Sequence, residues 1–265
     1  MPLMPRHFSL DLGHRRVPRV FFCVMGLAAT ISSLAGFQDA RSVSPGSPST
    51  LEDFKAGDVS REPYQKATDL LAALQVSQGD WVADVGAGVG YYSMRLAEMV
   101  GAEGKVFAED ISDSAMRWLN ARVSVFNLSN VEVVKGAVDD PKLPAGRLAA
   151  VLIVDSYHHF TNCQAMLEKI LHSLKPGGRL VIADYSFGEH RAQTRADQLK
   201  LHEIDPELVR KEVGTAGFEV VRCEDPFVKW RAGVGNTRAS ATDMWLMIAV
   251  RPPAGSASPT PPVLN

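Results

Sequence analysis

The stretch Trp81-Val82-Ala83-Asp84-Val85-Gly86-Ala87-Gly88-Val89-Gly90-Tyr91 decides how the chain is read. A mostly apolar run of strand length carries one acid, Asp84, and ends in three glycines at alternate positions; a segment of helical spacing follows. In a strand, glycine turn and helix of this kind, backbone N–H groups face a ligand with no side chain between them. The spacing is G-x-G-x-G, and Tyr91 stands where a dinucleotide fingerprint has its last glycine. The stretch therefore does not predict NAD binding.

Outward from this turn, strand and helix patterns alternate at short spacing. Residues 62–76 place Ala67, Leu70, Leu71 and Leu74 on one helical face. Strands are predicted over 81–85, 105–110, 131–135, 149–155 and 179–185. Helices are predicted over 92–100, from a cap at Ser112 or Asp113 to about Phe126, and from a cap at Asn162 or Thr161 through Leu174. Lys175-Pro176-Gly177-Gly178 stops the last of these. Residues 186–201 are polar and interrupt the pattern. A helix over 205–217, a strand over 218–224, a loop over 227–239 containing Trp230 and a strand over 242–250 complete the domain. The alternation predicts one α/β domain on a doubly wound, mostly parallel sheet. The final two strands, joined without a helix, should run antiparallel.

The ends differ in character. Residues 1–19 carry Arg6, Arg15, Arg16 and Arg19 against the single acid Asp11, and 20–36 is mostly apolar without charge. Residues 1–36 read as a signal peptide or N-terminal anchor, with possible membrane association through 20–36. The domain would then be exported or anchored, or cytoplasmic if Met25 is the true start. Residues 37–58, rich in Ser, Pro and Gly, read as a linker, 59–251 as the domain and 252–265 as a disordered tail. The 265 residues, 46% of them hydrophobic, suffice for one full core. A net charge of −2 argues against a nucleic-acid partner. The three cysteines, Cys23, Cys163 and Cys223, form neither a disulfide framework nor a metal knuckle.

Acids close four strands: Asp84, Asp110, Asp139 and Asp140 just past the third, and Asp155. Ligands bind at the carboxyl ends of such strands, and this row beside a glycine turn suits a polar, cationic ligand. With Asp84 two residues before Gly86, the turn resembles motif I of the class I S-adenosylmethionine (SAM) methyltransferases. The segment Gly104-Lys105-Val106-Phe107-Ala108-Glu109-Asp110-Ile111-Ser112 is similar to that family's second motif, and Leu174-Lys175-Pro176-Gly177-Gly178-Arg179-Leu180 to its turn into strand five. Asp155-Ser156-Tyr157-His158-His159-Phe160 resembles the segment after strand four in the quinone and small-molecule branch. The resemblance implies a seven-stranded sheet in the order 3-2-1-4-5-7-6, with SAM as cofactor. It implies that Gly86, Gly88 and Gly90 approach the methionine and ribose, that Asp84 orients the amino group and that Asp110 takes the ribose hydroxyls. Asp139 or Asp140 would lie near the adenine, although Ala137 stands where many members have an acid, and Asp155 with Ser156 would line the methionine end.

Methyl transfer needs a base only when the acceptor starts protonated. His158, His159 and Tyr157, just past strand four, are the candidates. The competing reading has one histidine packed and hydrogen-bonded at the sheet edge and the other capping the next helix. His158, His159, His190 and His202 form no i,i+4 pair or Cys/His knuckle, so spacing predicts no metal. The expected activity is methyl transfer to a small or lipid-like acceptor, with residues 186–204 and 227–239 covering it. The alternatives are protein methylation of the isoaspartyl type and a SAM- or nucleoside-binding protein without catalysis.

Overall fold

The computed structural model describes residues 61–229, 243–253 and Gly255. The leader, the linker and nearly all of the tail lie outside the described residues, as do residues 230–242, which hold Trp230 and most of the loop predicted over 227–239; Phe227 and Val228 belong instead to a strand. No helix of the described residues is long and apolar enough to cross a membrane.

The elements in chain order are α1 (Glu62–Gln65), α2 (Ala67–Ala73), β1 (Trp81–Val85), α3 (Tyr91–Val100), β2 (Lys105–Asp110), α4 (Asp113–Val125), β3 (Val131–Lys135), β4 (Leu148–Val154), α5 (Cys163–Ser173), β5 (Leu174–Ser186), α6 (Arg195–Leu201), α7 (Pro206–Thr215), β6 (Glu219–Val228) and β7 (Asp243–Val250). The seven strands form one sheet in the order β3-β2-β1-β4-β5-β7-β6. β1 through β5 pair in parallel, and β7 runs antiparallel to both β5 and β6. The predicted fold class and strand order are the observed ones.

The sheet is covered on both faces, as parallel strands require. Leu70 and Leu71 of α2, Leu96 of α3 and Leu119 of α4 pack on one face against Val82, Val106 and Leu152. Met166 and Ile170 of α5 with Val209 and Val213 of α7 pack on the other, against Ala83, Val151 and Ile182. β4, Leu148-Ala149-Ala150-Val151-Leu152-Ile153-Val154, is buried along its whole length, which is why it alternates in nothing.

Three local expectations are corrected. The helix predicted over 62–76 is two helices, because Lys66 adopts a left-handed backbone (φ +46°) and sends Nζ to the Phe227 carbonyl at 2.9 Å. The polar interruption after β5 contains a short 3-10 turn, Gly188–His190, and α6, capped by Thr194. β5 begins at Leu174, ahead of the predicted Arg179, because Leu174 pairs with Leu148 and Gly177 and Gly178 exchange backbone hydrogen bonds with Arg251. The predicted caps Ser112 and Asn162 are the N-caps of α4 and α5.

The chain moves outward from β1 through β2 to β3, then returns to lay β4 against the other side of β1. The crevice at the carboxyl ends of β1 and β4 is thus the switch point, where such sheets hold their ligands.

Candidate active site

The turn after β1 forms one half of the crevice. Gly86 has φ +73°, and a Cβ placed on it would lie 1.8 Å from Ser156 Oγ, so Ser156, two residues past the end of β4, occupies the space a side chain would need. Its N–H donates to Glu109 Oε2 at 3.3 Å, and the Gly88 N–H donates to Asp110 Oδ2 at 2.9 Å. Asp110 Oδ1 accepts from the Ser112 N–H at 2.7 Å, so one carboxylate ties the glycine turn to the start of α4. A Cβ at Gly88 would meet nothing within 4 Å, which leaves open space beside Asp110. Gly90 is the left-handed N-cap of α3.

Two buried acids lie behind this turn. Asp84 is 3% exposed and accepts from Ser93 Oγ at 2.6 Å. Burial pushes its carboxyl up to about 6 despite that hydrogen bond. Glu109, 2% exposed, is pushed up to about 8, by burial first; the Gly86 N–H opposes the shift, and the charges of Asp110 and Asp84 add to it. Its Oε1 has no hydrogen-bond partner, and a Cβ at Gly136 would stand 1.7 Å from that atom. Glu109 was not singled out from sequence. Its signal was an acid in the alternation of β2 at a position in step with Phe107 of the core.

The acids after β3 divide. Asp140 closes its own turn, its carbonyl accepting from the Ala137 N–H and its Oδ1 from the Lys142 N–H, both at 2.8 Å; Asp139 is exposed beside it.

The other half of the crevice follows β4. Asp155 has a left-handed backbone (φ +52°) and donates its N–H to the Ala183 carbonyl at 2.9 Å. Tyr157 faces the core: it is fully buried, stacks near Phe160 and donates its hydroxyl to Glu212 Oε2 of α7 at 2.7 Å. Burial, with the Glu212 charge adding to it, holds that hydroxyl protonated far above its ordinary range. The structure thus corrects its candidacy as a base and makes it a core anchor. Glu212 also receives Arg195 Nε of α6 at 2.8 Å.

His158 and His159 turn toward one another. His158 is fully buried, and its Nδ1 lies 2.9 and 3.1 Å from the two carboxylate oxygens of Asp184, itself fully buried on β5. Asp184 also accepts from the backbone N–H groups of His158 at 3.0 Å and of Tyr185 at 2.8 Å. A carboxylate there places the ring proton on Nδ1 and directs Nε2 outward. That Nε2 is 3.0 Å from Nε2 of His159, which is exposed. The His202 ring, at the C-terminal cap of α6, stands edge-on to both, with centroids 5.5 and 5.1 Å away. Sequence reading passed over Asp184, although an acid in the apolar run Leu180-Val181-Ile182-Ala183-Asp184 is itself a mark of a buried polar role. His190 pairs with Glu203 at 3.0 Å, apart from this cluster. Cys163 and Cys223 are free, half-buried thiols, and Trp245 is core.

Sheet order, glycine turn and rim carboxylate together define a class I SAM-dependent methyltransferase domain. The donor set fits SAM: a glycine turn with open space at Gly88, a carboxylate beside it and a buried acid with an oxygen to spare.

Among particular proteins, residues 82–178 match a family described as a methyltransferase domain. The ubiquinone/menaquinone biosynthesis C-methyltransferase UbiE of Cronobacter sakazakii is 27% identical over 144 residues, 53% of this chain and 57% of that protein. UbiE of Pseudomonas putida is 28% identical over 122 residues, 46% of this chain and 48% of that protein. The chain spans about half the length of these curated relatives. A SAM-dependent methyltransferase from Aquifex aeolicus superposes with a TM-score of 0.58 at 23% identity, over 76% of this chain and 97% of that one. The geranyl diphosphate C-methyltransferase of Streptomyces coelicolor A3(2) gives 0.60 at 14% identity, over 76% and 82%. These two likenesses concern the fold.

Proposed function

We propose that the chain transfers the methyl group of SAM to a small or lipid-like acceptor whose nucleophile begins as an O–H, such as a hydroxylated ring. The observation that carries this reading is the Asp184–His158–His159 chain, which stands past β4 where Ser156 seals against the glycine turn.

SAM supplies a methyl carbon on a sulfonium; the new bond forms at that carbon as the C–S bond breaks, its electron pair staying on sulfur. The chain's residues do the rest. The glycine turn and Asp110 fix the donor against the β1 end. Holding donor and acceptor in line supplies much of the acceleration. The acceptor proton leaves toward the exposed His159, with His158 and the buried Asp184 behind it to stabilise the positive charge. α6 lies beside His158 and His159, pinned by Arg195 to Glu212. Relatedness to quinone C-methyltransferases supports a ring acceptor, and the apolar stretch 20–36 adds lipid-like rings to those worth testing.

The test is turnover of methyl-labelled SAM against hydroxylated aromatic acceptors and their O-methylated counterparts. Hydroxylated acceptors should be labelled and the blocked ones not. His159→Ala should lower kcat by about a hundredfold or more with SAM affinity unchanged. Equal labelling of blocked acceptors, or full rate in the variant, would overturn the reading.

A further inference from the structure

We propose that His158, His159 and His202 form a binding site for a divalent transition metal of the zinc class. The spacing in sequence gives no such motif, yet the fold brings one ring nitrogen from each within 4.8 Å of the others. The Nε2 atoms of His158 and His159 are 3.0 Å apart. Two nitrogens on a tetrahedral zinc stand about 3.3 Å apart, given its Zn–N bond lengths. An ion can take the place of the proton on His159 Nε2 once the two rings, with centroids 4.0 Å apart, swing open, that proton passing to His159 Nδ1 so that both rings stay neutral.

The surroundings match what metal-binding imidazoles need. The Asp184 carboxylate holds His158 through Nδ1, the pairing that fixes a ligand ring and raises its basicity. Asp184 is occupied by this ring and by two backbone N–H groups, so it supports the ligand set and is not part of it. His202 arrives from a different segment, at the cap of α6, in a left-handed backbone (φ +56°). Such a conformation costs a residue with a Cβ, and it recurs where a side chain must be aimed. Three neutral imidazoles without oxygen ligands select zinc, copper, nickel or iron over magnesium and calcium. Three protein ligands with one side open is also the layout of catalytic zinc.

The role follows from the reading of this face as the acceptor's side, and rests on it. An acceptor hydroxyl taking the fourth position would lose its proton to solvent at the ion, whose charge stabilises the oxyanion left behind. The rings would then hold the ion in place of receiving the proton.

The full chain, dialysed against a chelator, would be titrated with zinc alone by calorimetry, and with cobalt followed by visible absorption. One ion per chain is expected, with the intense absorption of four-coordinate cobalt. His158 is left intact because it is fully buried. The double variant His159→Ala/His202→Asn, in which Asn tolerates the left-handed backbone, should bind zinc at least tenfold more weakly and lose the cobalt bands. Absence of zinc binding, or equal binding by the double variant, would overturn the site. SAM titration of the same sample separates the two readings. SAM bound without zinc removes the metal site alone; zinc bound without SAM removes the methyltransferase reading and leaves the site.

Discussion

The two walls of the crevice are built by different means. On the β1–β2 side, backbone N–H groups of Gly86 and Gly88 meet carboxylates of the adjacent strand, and every participant lies within the glycine turn or the end of β2. On the β4–β5 side the parts come from three segments: His158 and His159 after β4, Asp184 on β5 and His202 after α6. The first wall is a local device, complete once β2 lies beside the strand–turn–helix unit. The second exists only when the sheet order is complete, because Asp184 reaches His158 across the β4–β5 pairing. A shared donor calls for the first kind of wall, and a particular acceptor for the second.

The comparison breaks most visibly at Asp184. Asp184→Leu leaves two backbone N–H groups and the His158 ring without their acceptor in a buried place, and should cost about 3 kcal/mol in chemical denaturation. An unfolding free energy unchanged within error would show the second wall to be less integral than its burial implies. Asp110→Ala is the counterpart on the first wall. It should weaken SAM binding by roughly 1–3 kcal/mol in calorimetry through lost charge-assisted hydrogen bonds, and leave the fold standing.

The pH response sharpens the contrast, because the raised acids are on the first wall. Glu109 rises from 4.5 to about 8 and Asp84 from 3.8 to about 6 on folding. Both therefore bind protons more tightly when folded. Their contribution to stability is complete below the unfolded values and is lost as pH rises through about 6 and then about 8. Urea midpoints should fall between pH 5 and pH 8, and Glu109→Gln, which keeps an acceptor for the Gly86 N–H, should flatten most of that fall. A variant that parallels the parent would place the titration elsewhere. The smallest effect is expected at Tyr157→Phe: about 1 kcal/mol from its lost bond to Glu212, with turnover equal to the parent's. A large loss of rate would return Tyr157 to the chemistry.

What the sequence disclosed follows the same division. The glycine turn and the acids at the strand ends could be read because each is a local pattern, the mostly parallel sheet because its elements alternate, and the strand order only as what the family resemblance implies. Glu109 was hidden by its neighbour Asp110, which drew the whole reading of that strand end. Asp184 lies in sequence within a mostly apolar strand, and the meeting of His202 with His158 and His159 depends on where α6 comes to rest, which no spacing encodes. The split of the first helix at Lys66 was missed for a similar reason, since its Nζ is held by a carbonyl on β6. Local chemistry is legible in the residues themselves; convergence is a property of the assembled sheet.

The contact between Gly86 and Ser156 carries a consequence for how this domain can change. The seam between the two walls is one hydroxyl thick, and the volume it occupies belongs to whichever of the two positions fills it. Enlargement at one must be matched by a reduction at the other, so the pair has to vary together. Recognition of the acceptor can diversify along the rest of its wall, while this seam passes between descendants as a matched set.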